Sequence, residues 1–172
     1  MTVGKLRWVG ILLCGLGFPV FAQPLDATLD TTRGGAVKLS ELWGKPTVLF
    51  YEDKDGTDQN QKLKNELALQ GEKQALRSHV RVVAVADVEG YDWFPAKGFV
   101  VSAVERAEKA SGLPVYLDWR GALKRKPWAL TGKGSTVAVL DGAGTLLFSK
   151  NGALTDEEIS QVVALLVRLV MR

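Results

Sequence analysis

The sequence contains a single cysteine, Cys14, in 172 residues, and this scarcity excludes several classes of chemistry. One cysteine cannot form an intramolecular disulfide, and Cys14 lies in an apolar N-terminal run that we expect to be removed. The remaining chain would then carry no thiolate, either as a nucleophile or as a metal ligand. A domain of this length can be stabilised by its hydrophobic core without crosslinks.

The sequence also has only one histidine and a small net charge. His79 is the only histidine, which disfavours His-based metal sites and a Ser-His-Asp triad and favours a structural role for this residue. The formal net charge of +3 falls to +1 without Lys5 and Arg7. No basic stripe with interleaved aromatic residues is present, so a nucleic-acid partner is not indicated.

The N-terminus has the three parts of a secretory signal peptide. Lys5 and Arg7 precede an apolar stretch from Trp8 to Val20, and Ala22 ends a small-residue cleavage site. The apolar stretch is shorter than the ~20 residues that a membrane-spanning helix needs, which disfavours the alternative of an uncleaved anchor. Leu13 before Cys14 disfavours a lipoprotein. We predict a signal peptide over residues 1–22, one exported domain over 23–172, and no stable membrane insertion after cleavage.

The exported part alternates between strand and helix patterns. Residues 23–36 read as an irregular lead-in with a turn at Gly34-Gly35, followed by a short strand at 37–39. Apolar runs at 47–51, 81–86 and 115–118 predict strands. A helix is predicted from Thr57 or Asp58 to about Ser78, and a second from a capping box of Ser102 and Glu105 to Gly112.

The C-terminal third predicts a β-hairpin followed by a helix. Strands at 136–140 and 145–149 flank the turn 141–144, and Thr155 with Glu158 forms a capping box before a one-sided apolar helix. Together the patterns predict an α/β fold with a central mixed β-sheet and helices on both faces.

Two segments resemble core strands of the thioredoxin-like superfamily of the TlpA and peroxiredoxin type, namely residues 44–51 and 135–142. The stretch from Val137 to Asp141 and the stretch from Lys150 to Glu158 are similar to the YtfJ family of exported thioredoxin-like proteins. This resemblance implies a thioredoxin-like fold and a periplasmic location. It implies no reaction.

The chain departs from the redox members of that superfamily at three positions. Asp55 and Asp58 stand where the Cys-x-x-Cys would lie, and Ser135 stands where redox members place a cis-proline. We therefore expect neither dithiol oxidoreductase nor peroxidase activity, and no cofactor. The sequence favours a binding or accessory protein over an enzyme.

The acidic corner, residues 53–58, supports an alternative. Asp53-x-Asp55-Gly-Thr after an apolar strand resembles the nucleophile motif of phosphatases of the haloacid-dehalogenase type. In that motif Asp53 would be the nucleophile and Asp55 the general acid and base, around a bound Mg²⁺ ion. A metal-dependent hydrolase is thus the rival interpretation, with Asp58 as a further candidate ligand. Its companion motifs are poor, because Asp87 rather than Ser or Thr ends the second strand. Asp residues at a helix N-terminus also have an ordinary capping role.

Aromatic residues cluster in the segment after the second predicted strand. Tyr91, Trp93, Phe94 and Phe99 form either an exposed patch for a partner or a lid packed over the sheet edge. Trp119 and Trp128 flank a basic stretch, 124–126, which reads as a solvated loop or a contact for an acidic partner. We predict that a periplasmic protein or peptide binds a face that consists of Asp55, Asp58, Ser135, Tyr91 and Trp93.

Overall fold

The computed structural model describes residues 24–72, 78–130 and 133–171, so the predicted signal peptide lies outside the described residues. The described residues form seven β-strands and three α-helices. The strands are β1 (Thr28–Thr31), β2 (Ala36–Lys38), β3 (Thr47–Glu52), β4 (Arg81–Asp87), β5 (Val115–Asp118), β6 (Ser135–Leu140) and β7 (Leu146–Asn151). The helices are α1 (Gln61–Glu72), α2 (Ala96–Ser111) and α3 (Asp156–Val170).

All seven strands belong to one mixed sheet with the spatial order β2-β1-β5-β4-β3-β6-β7. Strands β3, β4 and β5 run parallel to one another, whereas β1, β2, β6 and β7 pair antiparallel with their neighbours. Every residue of β6 and five of the six residues of β3 are buried. These strands have continuous apolar sequences because both of their faces are covered.

The three α-helices pack on one face of the sheet. Connections between parallel strands are right-handed in nearly all proteins. The connections β3-α1-β4 and β4-α2-β5 both lead to the next strand in the same direction across the sheet, so α1 and α2 lie on the same face of it. Helix α3 joins α1 over Phe50 and Val139. The opposite face is covered by two 3₁₀ helices, Leu39–Leu42 and Ala122–Lys124, and by irregular segments around Trp128. The predicted α/β mixed sheet, terminal hairpin and final helix are confirmed, with α-helices on one face and 3₁₀ helices on the other.

The second helix begins earlier than the sequence predicts. Helix α2 starts at Ala96 after Pro95, so Ser102 is an interior helical position and the predicted capping box with Glu105 is wrong. Packing of Val100 and Val101 near Leu117 extends the helix through residues whose local pattern resembles a loop. Its predicted end at Gly112 is confirmed, since Gly112 adopts the left-handed conformation with φ 69°.

Two further boundaries depend on partners distant in sequence. Strand β1 was predicted as irregular lead-in, and it forms because it pairs with both β2 and β5. Helix α1 begins at Gln61, after a series of turns, rather than at residue 57 or 58. The predicted extension to Ser78 crosses residues 73–77, which lie outside the described part. None of the helices in the described ranges is both long and apolar enough to span a membrane.

Candidate functional site

The acidic corner and the aromatic segment lie at the same edge of the sheet. The corner follows the C-terminal end of β3, and the segment around Tyr91 follows the C-terminal end of the neighbouring parallel strand β4. In α/β sheets, ligands bind outside the carboxyl ends of the parallel strands. The predicted site residues are therefore brought to the edge at which such sheets place their binding sites.

Asp53 anchors the corner to the loop before β6. Its Oδ2 accepts a hydrogen bond from the Gly134 N–H at 2.8 Å, and its Oδ1 accepts one from the Asp55 N–H at 2.9 Å. The Asp53 N–H in turn donates to the Gly134 carbonyl at 2.9 Å. Both carboxylate oxygens are engaged by the main chain, and this geometry adds no support to the role of Asp53 as a phosphatase nucleophile.

Two glycines allow the corner and the loop to touch. A Cβ on Gly56 would lie 2.1 Å from the Gly134 carbonyl carbon, and a Cβ on Gly134 would lie 2.4 Å from Nε2 of Gln59. Gly134 also has φ 95°, a conformation that favours glycine. The Gln59 carboxamide oxygen accepts a hydrogen bond from the Ser135 N–H at 3.1 Å. The loop before β6 thus packs directly on the acidic corner.

Ser135 belongs to a buried polar network. Its side chain is 0% exposed, and its hydroxyl donates to Glu52 Oε1 and accepts from Asn60 Nδ2, both at 2.9 Å. Asn60 also donates to the Gly152 carbonyl at 3.1 Å, and its Oδ1 accepts from the Leu154 N–H at 3.0 Å. The network connects the end of β3, the start of α1 and the β7–α3 connection. Ser135 therefore lies beneath the predicted binding face rather than on its surface.

Sequence reasoning gave Glu52 no role and did not identify Asn60 as part of this region. Glu52 is held on its other oxygen by Lys64, whose Nζ lies 2.9 Å from Oε2. A charged residue that ends an otherwise apolar strand was the available signal for Glu52. Asn60 carries no comparable signal, because its partners at Ser135 and Gly152 are 75 and 92 residues away in sequence.

The other two aspartates of the corner face solvent. Asp55 and Asp58 are exposed, and no described residue engages either carboxylate. The Asp58 carbonyl accepts from the Gln61 N–H at 3.3 Å, so Asp58 stands just before helix α1. Within the described ranges, no three His, Cys, Asp or Glu side chains are grouped so that they could hold a metal ion.

The aromatic patch, which we define as Tyr91, Trp93, Phe94 and Phe99, is open to solvent. Phe94 is 95% exposed, Phe99 72% and Trp93 59%. Trp93 is held by a hydrogen bond of 3.1 Å from its Nε1 to the Gly90 carbonyl. Of the two sequence interpretations, the observed exposure matches the surface patch and not a lid packed over the sheet edge.

The basic segment is connected by ion pairs to the end of β4, from which the chain continues into the aromatic segment. Lys124 Nζ lies 2.6 Å from Asp87 and 3.0 Å from Glu89, so it joins the 3₁₀ turn to the end of β4. Burial lowers the pKa of Lys124, but its hydrogen bonds to these two carboxylates outweigh this effect and leave the pKa raised. Arg120 and Lys126 are exposed, and no described residue pairs with either of them.

A buried tyrosine lies behind that ion-pair cluster. The Tyr51 hydroxyl donates to Asp118 Oδ2 at 3.3 Å, and the same oxygen accepts from the Leu123 N–H at 3.0 Å. Burial raises the pKa of Tyr51, and the negative charges of Asp118 and Asp87 raise it further. The cluster fastens the segment that carries Trp119 and Trp128, both of which are buried, to the edge of the sheet.

Comparison with known proteins gives the same fold. Residues 54–169 match a family described as "bacterial protein of unknown function (YtfJ_HI0045)". The uncharacterized protein YtfJ of Escherichia coli K12 is 33% identical over 109 residues, which are 63% of this chain and 59% of that protein. The matched region thus spans about three fifths of this relative's length.

Solved structures of thioredoxin-like proteins superpose on most of the chain. An uncharacterized thioredoxin-like protein from Porphyromonas gingivalis has a TM-score of 0.63 at 21% identity, with 87% of this chain and 93% of that chain covered. The exposed lipoprotein thioredoxin Etrx1 from Streptococcus pneumoniae has a TM-score of 0.53 at 19% identity, with 81% and 98% covered. These structures establish the thioredoxin-like fold. Because the family match covers more than half of the sequence, the chain belongs to the YtfJ family of bacterial proteins of unknown function.

Proposed function

We propose that this protein is an exported, redox-inactive thioredoxin-like protein that binds a protein or peptide at the carboxyl edge of its parallel strands. The observation that carries the proposal is the aromatic patch, in which Phe94 is 95% exposed. Contiguous exposed apolar patches on soluble domains mark interaction sites. Aromatic residues also dominate the energetics of protein interfaces.

The residue types at the acidic corner support the proposed absence of redox activity. Thiol–disulfide exchange requires a thiolate that attacks a disulfide sulfur. The resemblance puts Asp55 and Asp58, and hence carboxylates, at the expected positions of the two thiols, and the sequence has no cysteine beyond residue 14. We expect no acceleration of insulin-disulfide reduction by dithiothreitol, measured as turbidity against a thioredoxin control. Acceleration above the rate without protein would contradict this part of the proposal.

The charges around the patch suggest what the partner looks like. The carboxylates of Asp55 and Asp58 lie on the β3 side of the edge, and the cations of Arg120 and Lys126 follow β5; within the described part of the chain none of the four has a partner. We infer a partner segment with apolar anchors for Trp93 and Phe94 and with charges of both signs at its margins. Such charges contribute more to orientation and association rate than to affinity.

Site-specific photo-crosslinking tests the binding proposal. A benzophenone amino acid at Phe94, in cells that express the full chain, should yield a discrete adduct that Trp93→Ala weakens. The matched control is the same label at Ala110, which is also exposed but lies near the far end of α2, roughly 21 Å along the helix axis from Ala96. Identical adducts from both positions, or none from Phe94, would refute the proposal.

Export to the periplasm is the remaining part of the proposal. It is supported by the signal-peptide pattern over residues 1–22 and by the description of one structural neighbour as an exposed lipoprotein. N-terminal sequencing of protein released by osmotic shock should begin at Gln23. Recovery of the chain in the cytoplasmic fraction with Met1 intact would contradict export. No observation favours the hydrolase alternative, and we do not propose it.

A further inference from the structure

The described residues cover the helix face of the central strand β4 incompletely. Val83 and Val85, which face the 3₁₀ helices, are 2% and 1% exposed, whereas Val82 and Ala84 on the α-helical face are only half-buried. A strand flanked on both sides within a seven-stranded sheet would ordinarily be buried on both faces. Helix α2, which passes over this face, has no fully buried residue among its 16. The sheet is therefore accessible between α1 and α2.

Small side chains open a cleft at this place. Ala68 on α1, Ala84 on β4, and Ala107 and Ser111 on α2 line it, and its volume is about 760 Å³. This volume lies within the range of roughly 300–1,000 Å³ that is typical of small-molecule sites. The floor is apolar and is formed by Phe50, Val82, Ala84 and Val115. An elongated apolar molecule matches this shape and surface.

One end of the cleft is polar. Glu52, Thr57, Gln61 and Lys64 line it where α1 begins, next to the acidic corner. The Lys64 ammonium lies 5.2 Å from the centre of the Phe50 ring and donates to Glu52 Oε2 at 2.9 Å and to the Thr57 carbonyl at 2.8 Å. An ammonium group has three N–H donors, so one donor of Lys64 remains for an acceptor on a ligand.

Glu52 is fixed in place beside Lys64. Its Oε1 accepts from the buried Ser135 hydroxyl, so the carboxylate is held on both oxygens. A cation that is already positioned needs little further ordering to bind an anion, and hydrogen bonds to charged groups are the stronger ones. The lining thus combines an apolar floor with the Lys64–Glu52 ion pair at one end, and one N–H of Lys64 is left over for a ligand.

We propose that this cleft binds a monoanionic amphiphile of the fatty-acid type, with the tail on Phe50, Val82 and Ala84 and the carboxylate at Lys64. The site lies on the helical face of the sheet and contains none of the four residues of the aromatic patch, although Thr57 at its polar end belongs to the acidic corner. The inference therefore does not depend on the proposed function.

Titration of the purified protein with cis-parinaric acid, below its micellar concentration, tests the proposal. Fluorescence should rise saturably to one equivalent, and dodecanoate should displace the probe. Ala107→Trp fills the cleft from an exposed position and should abolish binding. Ala103→Trp is the control, because it places the same side chain one turn earlier on α2, exposed and outside the lining. No saturable binding, or equal binding by both variants, overturns the proposal.

A second variant tests the placement of the head group. Lys64→Gln should weaken dodecanoate about tenfold or more, as expected for the loss of a charge-assisted hydrogen bond, and should change 1-dodecanol less than about twofold. Equal weakening of acid and alcohol would overturn the assignment of the carboxylate to Lys64. If Lys64→Gln does not fold, judged by circular dichroism, Ala107→Trp still decides whether the cleft is the site. Photo-crosslinking at Phe94 should be unchanged in every variant, which separates failure of this inference from failure of partner binding.

Discussion

Replacement of Gly56 by alanine should destabilise the protein by separating the acidic corner from the loop before β6. The new Cβ would lie 2.1 Å from the Gly134 carbonyl carbon, 2.3 Å from its oxygen and 2.5 Å from the Ser135 nitrogen. All three are main-chain atoms, so rotation of a side chain cannot relieve the overlap. Ordinary contact begins near 3.4 Å, and the two segments must therefore move apart by roughly 1.3 Å.

The magnitude follows from the hydrogen bonds that cross this contact. Asp53 and Gly134 exchange bonds of 2.9 and 2.8 Å, and the Ser135 N–H donates to Gln59 at 3.1 Å. Movement by more than 1 Å breaks or weakens all three, at a cost of about 2–4 kcal/mol in the free energy of unfolding. Loss of backbone freedom in the unfolded chain offsets only about 0.4–1 kcal/mol of this. The clash should dominate, with a melting temperature lower by roughly 5–15 °C.

Urea denaturation followed by circular dichroism measures this effect directly. Gly98→Ala is the matched control, because Gly98 lies in helix α2, has no heavy atom within 4 Å of the added Cβ and does not have a positive φ. It should stabilise the protein by about 0.5–1 kcal/mol through helix propensity. A Gly56→Ala protein that unfolds at or above the wild-type midpoint would refute the close approach of the corner and the loop.

Three further predictions concern residues outside this contact. Asn60→Ala should lower the free energy of unfolding by about 2–4 kcal/mol, because it leaves the Leu154 N–H without its partner in the buried network. A urea midpoint within error of wild type would argue against that network. Thr155→Ala should lower the free energy of unfolding by about 1 kcal/mol, since it removes the hydroxyl that accepts from the Glu158 N–H in the α3 capping box. An unchanged urea midpoint would show that the cap does not contribute to stability. The raised pKa of Tyr51 means that its contribution to stability is complete below the unfolded-state value near 10 and is lost as pH rises above it. Absorbance titration at 295 nm should show Tyr51 ionising only when the protein unfolds, and Tyr51→Phe should reduce the loss of stability above pH 10; reversible ionisation of all three tyrosines near pH 10 in the folded state would contradict this.

Much of the fold could be predicted because its signals are local. The apolar runs of β3 and β6 correspond to strands that are covered on both faces, and the run of β4 corresponds to a strand that is buried on one face and half-buried on the other. The Thr155–Glu158 capping box marks the observed start of α3. Gly112 ends α2 where expected, because only glycine adopts its left-handed conformation at low cost. Each of these signals depends on residues within one turn or one strand.

The candidate site could be predicted only in part. The sequence placed the acidic corner and the aromatic segment after two adjacent parallel strands, and the topology brings both to one edge of the sheet. It could not show that Asp53 is engaged by Gly134, 81 residues away, or that Ser135 is buried. Side chains of the same type serve as binding groups or as structural anchors according to the groups that tertiary packing places beside them.

The sequence by itself determined the composition of the corner, the near-absence of cysteine and the order of strands and helices, since these depend on residue identity and short-range periodicity. Only the tertiary structure decided the early start of α2, the formation of β1 and the cleft between α1 and α2. Each of these results from contacts between segments far apart in the chain, where pairing in the sheet and burial of apolar surface outweigh local preference. The sizes of Ala84 and Ala107 are readable in the sequence, but their placement on the floor and on one wall of the same cleft is a property of the folded chain.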